Sequence, residues 1–315
     1  MMTLQKSVRT ILRECLNLQR GEHFVIVSHE NLSEIAAAIW NTARRITKNL
    51  ISIHYANKNT NCHELSASIT TSLKHADACV ILTPTHLGEQ LFDQARQNGS
   101  RVIVLQHASL AMIERTFETN LNLASNLSRK LADLFSIGKT IELTSPSGTE
   151  AKIAIARIMG IAETGFARSA GELSSLPAGK ASMMLNRNIE GRVTLDRIAG
   201  MKRKLHRPVL LNVTKGYITQ IKGQREAEML RKDIRKFGKN GRRICELGVG
   251  TNARVKFGNS AQEDEKCLGA IYLSLGQDQV TGVQGRIVHA IKGMVTNPTL
   301  TIDGRRIIED GKILL

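Results

Sequence analysis

Aromatic residues are scarce in this chain: Phe, Trp and Tyr make up 3% of its 315 residues. Few side chains are therefore available as stacking platforms for single-stranded nucleic acid, and no recognition-helix, zinc-finger or ribonucleoprotein motif takes their place. Cysteines are few as well. Cys15, Cys62, Cys79, Cys245 and Cys267 are odd in number, widely spaced and never in a Cys-x-x-Cys pair. That pattern excludes a disulfide framework and predicts buried, reduced thiols. No stretch offers the roughly 18 uninterrupted apolar residues of a membrane span. The opening MMTLQKSVRTILRECLNLQRGE sets charges inside what would have to be an apolar signal core, so it reads as an amphipathic first helix and the expected location is the cytoplasm. Acidic residues are also short, 28 against 44 Lys and Arg, for a net charge of +16.

What remains is ordinary globular material, 42% hydrophobic and 23% charged, at a length that suggests about two domains. Residues 1–137 alternate helix and strand patterns. Ser7 to Asn17 places Val8, Ile11, Leu12 and Cys15 on one helical face. HFVIVSH, LISIHYA, DACVILTP and SRVIVLQ read as short buried strands. Between them, SEIAAAIWNTARRI reads as a helix with Ser33 as N-cap and Ile35, Ala38, Ile39 and Ile46 inward. Ile69 to His75 and Gly88 to Gln97 supply further helices, and a last one runs near Leu123 to Phe135. Strands separated by helices imply a parallel sheet with right-handed crossovers, hence an α/β three-layer domain.

From residue 138 to 315 the pattern becomes β-rich. TIELTSPSGTEAKIAIA reads as two strands about a Pro-Ser-Gly turn, and strands pair around Lys215-Gly216, Asp303-Gly304 and Asp310-Gly311. QREAEMLRKDIRKF has Ala227, Leu230, Ile234 and Phe237 at helical spacing, which turns its basic residues outward. An α+β second domain with a cleft against the first is the expected architecture. Charge is concentrated here. Residues 1–150 hold 15 basic and 13 acidic residues, whereas residues 151–315 hold 29 and 15. Between Lys202 and Arg243, fourteen basic residues face only Glu226, Glu228 and Asp233. Such a stripe attracts anionic partners or serves as a solvated face.

Common catalytic motifs are missing. Gly248-Val-Gly250 lacks the third glycine and the helix of a dinucleotide fingerprint and reads as a tight turn. No Gly-x-Ser-x-Gly elbow occurs. Cys62-His63 has nothing nearby to complete a site. His23, His29, His54, His63, His75, His86, His107 and His206 mostly lack metal-ligand spacing. Glu263, Asp264 and Glu265 beside Lys266 form either a ligand or subunit contact or an acidic loop tied to the chain's own basic face.

Three segments carry a family resemblance: GELSSLPAGK at 171–180, ICELGVGTN at 244–252, and EDEKCLGAIYLSLG followed by VHAIKGMVTNPTLTIDG between Glu263 and Gly304. In content and order they resemble the aminopeptidase T (peptidase M29) family and its relatives, the iron-dependent 2,5-dihydroxypyridine 5,6-dioxygenases. The resemblance implies a metal site, but this chain departs from it. Lys180 stands where the family has a glutamate ligand, Tyr272 where it has a histidine, Ile291 where it has an aspartate, and Gln279 where the peptidases have a tyrosine. Glu246 and His289 are the matching ligands that remain.

Catalytic zinc needs about three protein ligands, and mononuclear iron oxygenases use two histidines and a carboxylate. The expectation is therefore a degenerate site of Lys180, Glu246, Tyr272 and His289. Lys180 either pairs with Glu246 in place of the metal or turns to solvent. On this reading the protein is an aminopeptidase T-like accessory protein, without a cofactor, that binds a peptide or peptide-like and acidic ligand in the interdomain cleft, and the resemblance implies a homo-oligomer. Two alternatives stay open. One is an active metallo-aminopeptidase holding Zn, Co, Mn or Fe through Glu172, Glu246, Tyr272 and His289. The other is a nucleic-acid or acidic-protein binding module using the basic face.

Overall fold

Apolar residues alternate sides along every strand of the first half, and the strands stack so that equal faces coincide. The computed structural model describes residues 4–56, 67–84, 90–117, 120–277 and 289–315. In it the strands Leu50–Tyr55, Phe24–His29, Ala78–Thr83, Arg101–Gln106 and Leu173–Leu176 lie in that order in one parallel sheet. Ile26, Val80 and Ile103 are in register, as are Val27, Ile81 and Val104. The first row faces a core shared with Val8, Ile11 and Leu12 of the N-terminal segment and with Ile35 and Ile39 of the helix Ser33–Ala43. The second row faces Ile69 and Leu73 of the helix Ala67–Lys74 and Phe92 and Ala95 of the helix Gln90–Gln97. A sheet covered on both faces is the expected three-layer α/β arrangement.

Several local expectations need correction. The first helix is α-helical over Leu4–Thr10 and continues as a π-turn over Ile11–Cys15. Val8, Ile11, Leu12 and Cys15 are all buried as expected. Ser33 is the first helical residue rather than the N-cap. A 3-10 turn, Glu30–Leu32, precedes it, and the His29 imidazole accepts the Asn31 N–H. The helix Leu110–Thr116, capped by Ser109 at the Met112 N–H, was not expected. Cys15, Cys79, Cys245 and Cys267 are buried free thiols, and burial pushes Cys15 and Cys267 up to about 12. Cys62 lies outside the described residues.

The second unit is built from two antiparallel sheets. Tyr217–Lys222, Val209–Thr214, Ile189–Leu195, Glu150–Ala154, Thr140–Thr144, Thr299–Ile302, Arg305–Glu309 and Lys312–Ile313 form one of eight strands. Arg197–Ile198, His289–Val295, Ile271–Gln277, Ile244–Gly250, Lys180–Met184 and Gly160–Glu163 form another of six. Their inward residues share one core with Leu131 and Phe135 of the helix Leu121–Ile137 and with Ala227, Leu230 and Ile234 of the helix Arg225–Arg235. The three dipeptide turns form as expected, with both residues left-handed: Lys215 and Gly216 at φ 49° and 75°, Asp303 and Gly304 at 48° and 81°, Asp310 and Gly311 at 45° and 77°. These values suit two-residue hairpin loops.

The chain divides into compact units at positions other than residue 137. Residues up to Leu121 group with Thr164–Ala178, whereas the helix Leu121–Ile137 falls almost wholly in the second unit, which begins at Asn122 and includes Glu163 and Gly179 onward. Among the described residues, no helix is long and apolar enough to cross a membrane. Ile26 is fully buried in the first core. Ile26→Ala is expected to lower stability by about 2–5 kcal/mol, read as a lower urea midpoint in equilibrium unfolding.

Candidate functional site

The six-stranded sheet has two unlike faces. Register aligns Lys180 with Gly250 and Glu163, Ser182 with Gly248, and Glu246 with Ser274. It also aligns Tyr272 with Met294 and Ser274 with Lys292. Because side chains alternate along a strand, these residues share one side. The intervening Ala181, Met183, Leu247, Val249, Ile271, Leu273 and Val295 go to the core. The polar residues of these strands thus gather on one face, interspersed with Gly248, Gly250 and Met294, and that face is itself covered. Tyr272 packs there with Cys267, Ala270 and Met294, against Val255 and Phe257.

Four charges on this face close into an alternating ring. Lys180 Nζ lies 2.7 Å from Glu265 Oε2 and 3.6 Å from Glu163 Oε2. Lys266 Nζ pairs with Glu163 Oε1 and stands 3.9 Å from Glu265 Oε2. Lys292 donates to the other Glu265 oxygen at 2.5 Å. The side chains of Lys266 and Glu265 are 0% and 1% exposed, and Lys180 is only 13% exposed. Burying isolated ions costs several kcal/mol each, so the alternation of sign is what makes the arrangement tolerable.

Glu246 belongs to the same cluster without touching a lysine. It accepts the Tyr272 hydroxyl at 2.7 Å and the Ser274 hydroxyl at 2.8 Å. The Tyr272 ring lies beneath both Lys180 and Lys292, whose Nζ atoms are 5.4 Å and 5.2 Å from its centroid, within cation–π range. Two glycines make room. A Cβ on Gly248 would lie 2.2 Å from the Tyr272 ring, and one on Gly250 would lie 2.1 Å from the Cys267 carbonyl oxygen. Gly248-Val-Gly250 is therefore a strand crossed closely by other groups, not the tight turn expected of it.

Charge states follow from these contacts. Burial opposes ionisation of Glu265, but Lys180, Lys292 and Lys266 outweigh it and hold the carboxyl well below its usual range. Burial likewise opposes ionisation of Glu246, yet Lys180 and Lys292 keep it low. Burial also works against charged Lys180, and Glu163 and Glu265 override it, raising its pKa. Lys266 goes the other way: burial, with Lys180 close by, brings it down to about 8.

The structure brings together Lys180, Glu246 and Tyr272. The expected direct contact of Lys180 with Glu246 is replaced by pairing with Glu265 and Glu163. Lys180 is in register with Gly250, four residues along the strand from Glu246, about 13 Å of backbone. Lys180 turns inward, not to solvent. His289 begins its strand, but its side chain lies outside the described residues, as does Gln279. Glu172 is not part of the cluster; its carboxylate accepts the Arg168 and Ser169 N–H groups in a local turn of the first unit. The EDEK run is buried rather than a surface loop. Asp264 accepts from Gly200 and Gly258 N–H, and Ser260 and Glu263 bond reciprocally. Glu163, Ser274 and Lys292 were not anticipated from sequence.

A parallel α/β unit joined to a unit of antiparallel sheets is the mixed α/β fold of the solved structures that this chain matches over its whole length. Residues 3–315 match the model of the NicX: 2,5-dihydroxypyridine 5,6-dioxygenase family, and the chain belongs to that family. The 2,5-dihydroxypyridine dioxygenase of Pseudomonas putida KT2440 has a similar structure, with a TM-score of 0.86 at 16% identity over 100% of this chain and 98% of that one. Wild-type AmpT from Thermus thermophilus is similar at a TM-score of 0.67 and 12% identity, over 99% of both chains. No protein of curated function matches the chain.

Folding lowers the pKa of Glu265 and Glu246, so their contribution to stability is complete above the usual carboxylate value of 4.5 and is lost as pH falls below it. Thermal melts across acid pH are expected to show this loss, and Glu265→Gln should flatten it while lowering stability near neutrality. Gly248→Ala is expected to cost about 1–3 kcal/mol by displacing the Tyr272 ring, measured by chemical denaturation.

Proposed function

We propose that this chain uses the family scaffold to bind a peptide or peptide-like ligand of acidic character, as an accessory protein without metal-dependent turnover. The observation that carries this reading is the lysine–glutamate ring. Glu163 and Glu265 direct their oxygens to ammonium groups, and Glu246 accepts two hydroxyls. A divalent ion fits these residues poorly, because the carboxylates that could ligate it are already neutralised and Lys180 and Lys292 would repel it. Catalytic zinc and iron sites need several free donors and an open position.

The acidic preference is supported by the chain's net charge of +16, which attracts anionic ligands at long range without contact; the basic residues between Lys202 and Arg243, most of which are exposed, contribute to it. On the helix Arg225–Arg235, Lys232 and Arg235 face outward, while Arg231 is half-buried and donates to the Ile221 carbonyl. The same surface suits the alternative of a nucleic-acid or acidic-protein binding module.

The family match favours a second reading, in which the chain opens a hydroxylated pyridine ring with a metal at Glu246 and His289. Elemental analysis of protein purified without a metal-affinity tag separates the two, together with oxygen uptake on 2,5-dihydroxypyridine and aminopeptidase assays with added iron, zinc, cobalt or manganese. Substoichiometric metal and no turnover are expected. One tightly held metal per chain, with turnover abolished by chelators, overturns the proposal. Binding of acidic peptides should weaken in Lys180→Ala and Glu246→Ala but not in a Lys232→Ala/Arg235→Ala double variant. The opposite pattern would assign binding to the basic stripe.

A further inference from the structure

One buried charge on the face that carries Tyr272 has no partner. Arg197 stands opposite Met294, and Met294 stands opposite Tyr272, so the three share one side of the sheet. Packing agrees with the register. The Arg197 guanidinium lies over the Phe257 ring, 4.8 Å from its centroid, and Phe257 packs against the cluster of Cys267, Ala270, Tyr272 and Met294. Arg197 is 8% exposed. Its Nε and Nη1 are buried and make no hydrogen bond among the described residues. The neighbouring carboxylates are committed elsewhere. Asp264 accepts the Gly258 and Gly200 N–H groups at 2.7 Å and 2.8 Å, and Asp196 Oδ2 accepts the N–H and the hydroxyl of Thr296.

A charge buried without a counter-ion costs several kcal/mol, and a buried donor left free calls for a reason. Two features suit it to an incoming anion. Stacking on Phe257 occupies the face of the guanidinium and leaves the in-plane N–H donors for an acceptor. Lys292, whose carbonyl accepts the Ala199 N–H, is two residues from Met294 and so lies diagonal to Arg197, with about 7–8 Å between their backbones. Its side chain is 22% exposed, against 13% for Lys180 and 0% for Lys266, which makes it the most open lysine of the cluster.

We propose that Arg197 is the anion-binding residue of this site and takes a carboxylate of the ligand on the edge of its guanidinium. The proposal rests on the reading of the site as one that holds an acidic, peptide-like ligand, and it adds the group that meets the acid. Lys180, Lys266 and Lys292 are each already paired with Glu163 or Glu265. Arg197 alone among the charged side chains named on this face keeps donors for a ligand. A guanidinium fork matches the two oxygens of a carboxylate with parallel, charge-assisted hydrogen bonds, and a lysine at the same place would offer a point charge without that match. Phosphate presents similar oxygens, and the experiment separates the two.

Calorimetric titration of the full chain with alanyl-glutamate, its amide alanyl-glutamine, acetate and inorganic phosphate tests the proposal. Wild type is expected to bind alanyl-glutamate at least tenfold more tightly than alanyl-glutamine. Arg197→Met should erase that preference, and Arg197→Lys should keep only part of it. Without ligand, Arg197→Met should melt no lower than wild type, because an unpaired buried charge has been removed; this readout separates a ligand-binding arginine from a structural one. A marked loss of stability in both variants assigns the guanidinium to the fold and overturns the proposal. Equal affinity of wild type for the two dipeptides overturns it too, as does a preference unchanged in Arg197→Met, and the peptide reading then stands if Lys180→Ala still weakens both dipeptides. Acetate binding that Arg197→Met abolishes, with neither dipeptide bound, removes the peptide reading and keeps the carboxylate site. Tighter binding of phosphate than of acetate overturns the choice of carboxylate, and no binding of any of the four overturns both readings.

Discussion

The second unit depends on an exchange of charge inside a covered sheet face. A lysine ammonium stripped of water is tolerable only if a carboxylate stands in for the lost solvent, and the converse holds for each glutamate. In Lys180, Glu265, Lys266 and Glu163 each cation has two anions near it and each anion two cations. Removing one member leaves the others with an uncompensated charge, so the cluster acts as a unit. Strands from distant parts of the sequence are thereby tied at one point: Gly160–Glu163, Lys180–Met184 and His289–Val295 each send a side chain to it.

Tyr272 and Gly248 extend that constraint across the sheet. The phenol ring occupies the space that a side chain on Gly248 would fill, and its hydroxyl carries the polar network from the lysines to Glu246. Chemically the result is a site with its acids already neutralised. Among the described residues, Glu163 and Glu265 meet lysine ammonium groups and Glu246 meets two hydroxyls. The family match establishes the ancestry of the scaffold that carries this network.

Much of the fold was legible in the sequence because it rests on local periodicity. The four strands from HFVIVSH to SRVIVLQ and the three two-residue hairpins were placed by alternation and by Lys-Gly and Asp-Gly turns. Leu173–Leu176 was missed as a strand of the parallel sheet, since LSSL has only two apolar residues and its partner Arg101–Gln106 lies some seventy positions earlier. At the site, Lys180, Glu246 and Tyr272 were found through family resemblance, and their geometry was not. Pairing of Lys180 with Glu265 depends on which strands are neighbours, and sheet order cannot be read from residue spacing. Lys292 and Ser274 did leave a signal, as single polar residues inside otherwise apolar strand segments. Lys266 left none: a lysine within EDEK has the composition of a solvated loop, and only the fold buries it.

Placement of Leu173–Leu176 also bears on how the chain is completed during synthesis. The first unit's sheet keeps an open edge at Arg101–Gln106 until a segment encoded beyond the helix Leu121–Ile137 and the hairpin Thr140–Ala154 has been made. Unpaired strand edges invite association with other chains, and strand pairings of long sequence separation form slowly. A nascent chain therefore carries an unprotected edge through the period in which the first elements of the second unit emerge, and cutting the gene at the apparent change of pattern near residue 138 would make that exposure permanent.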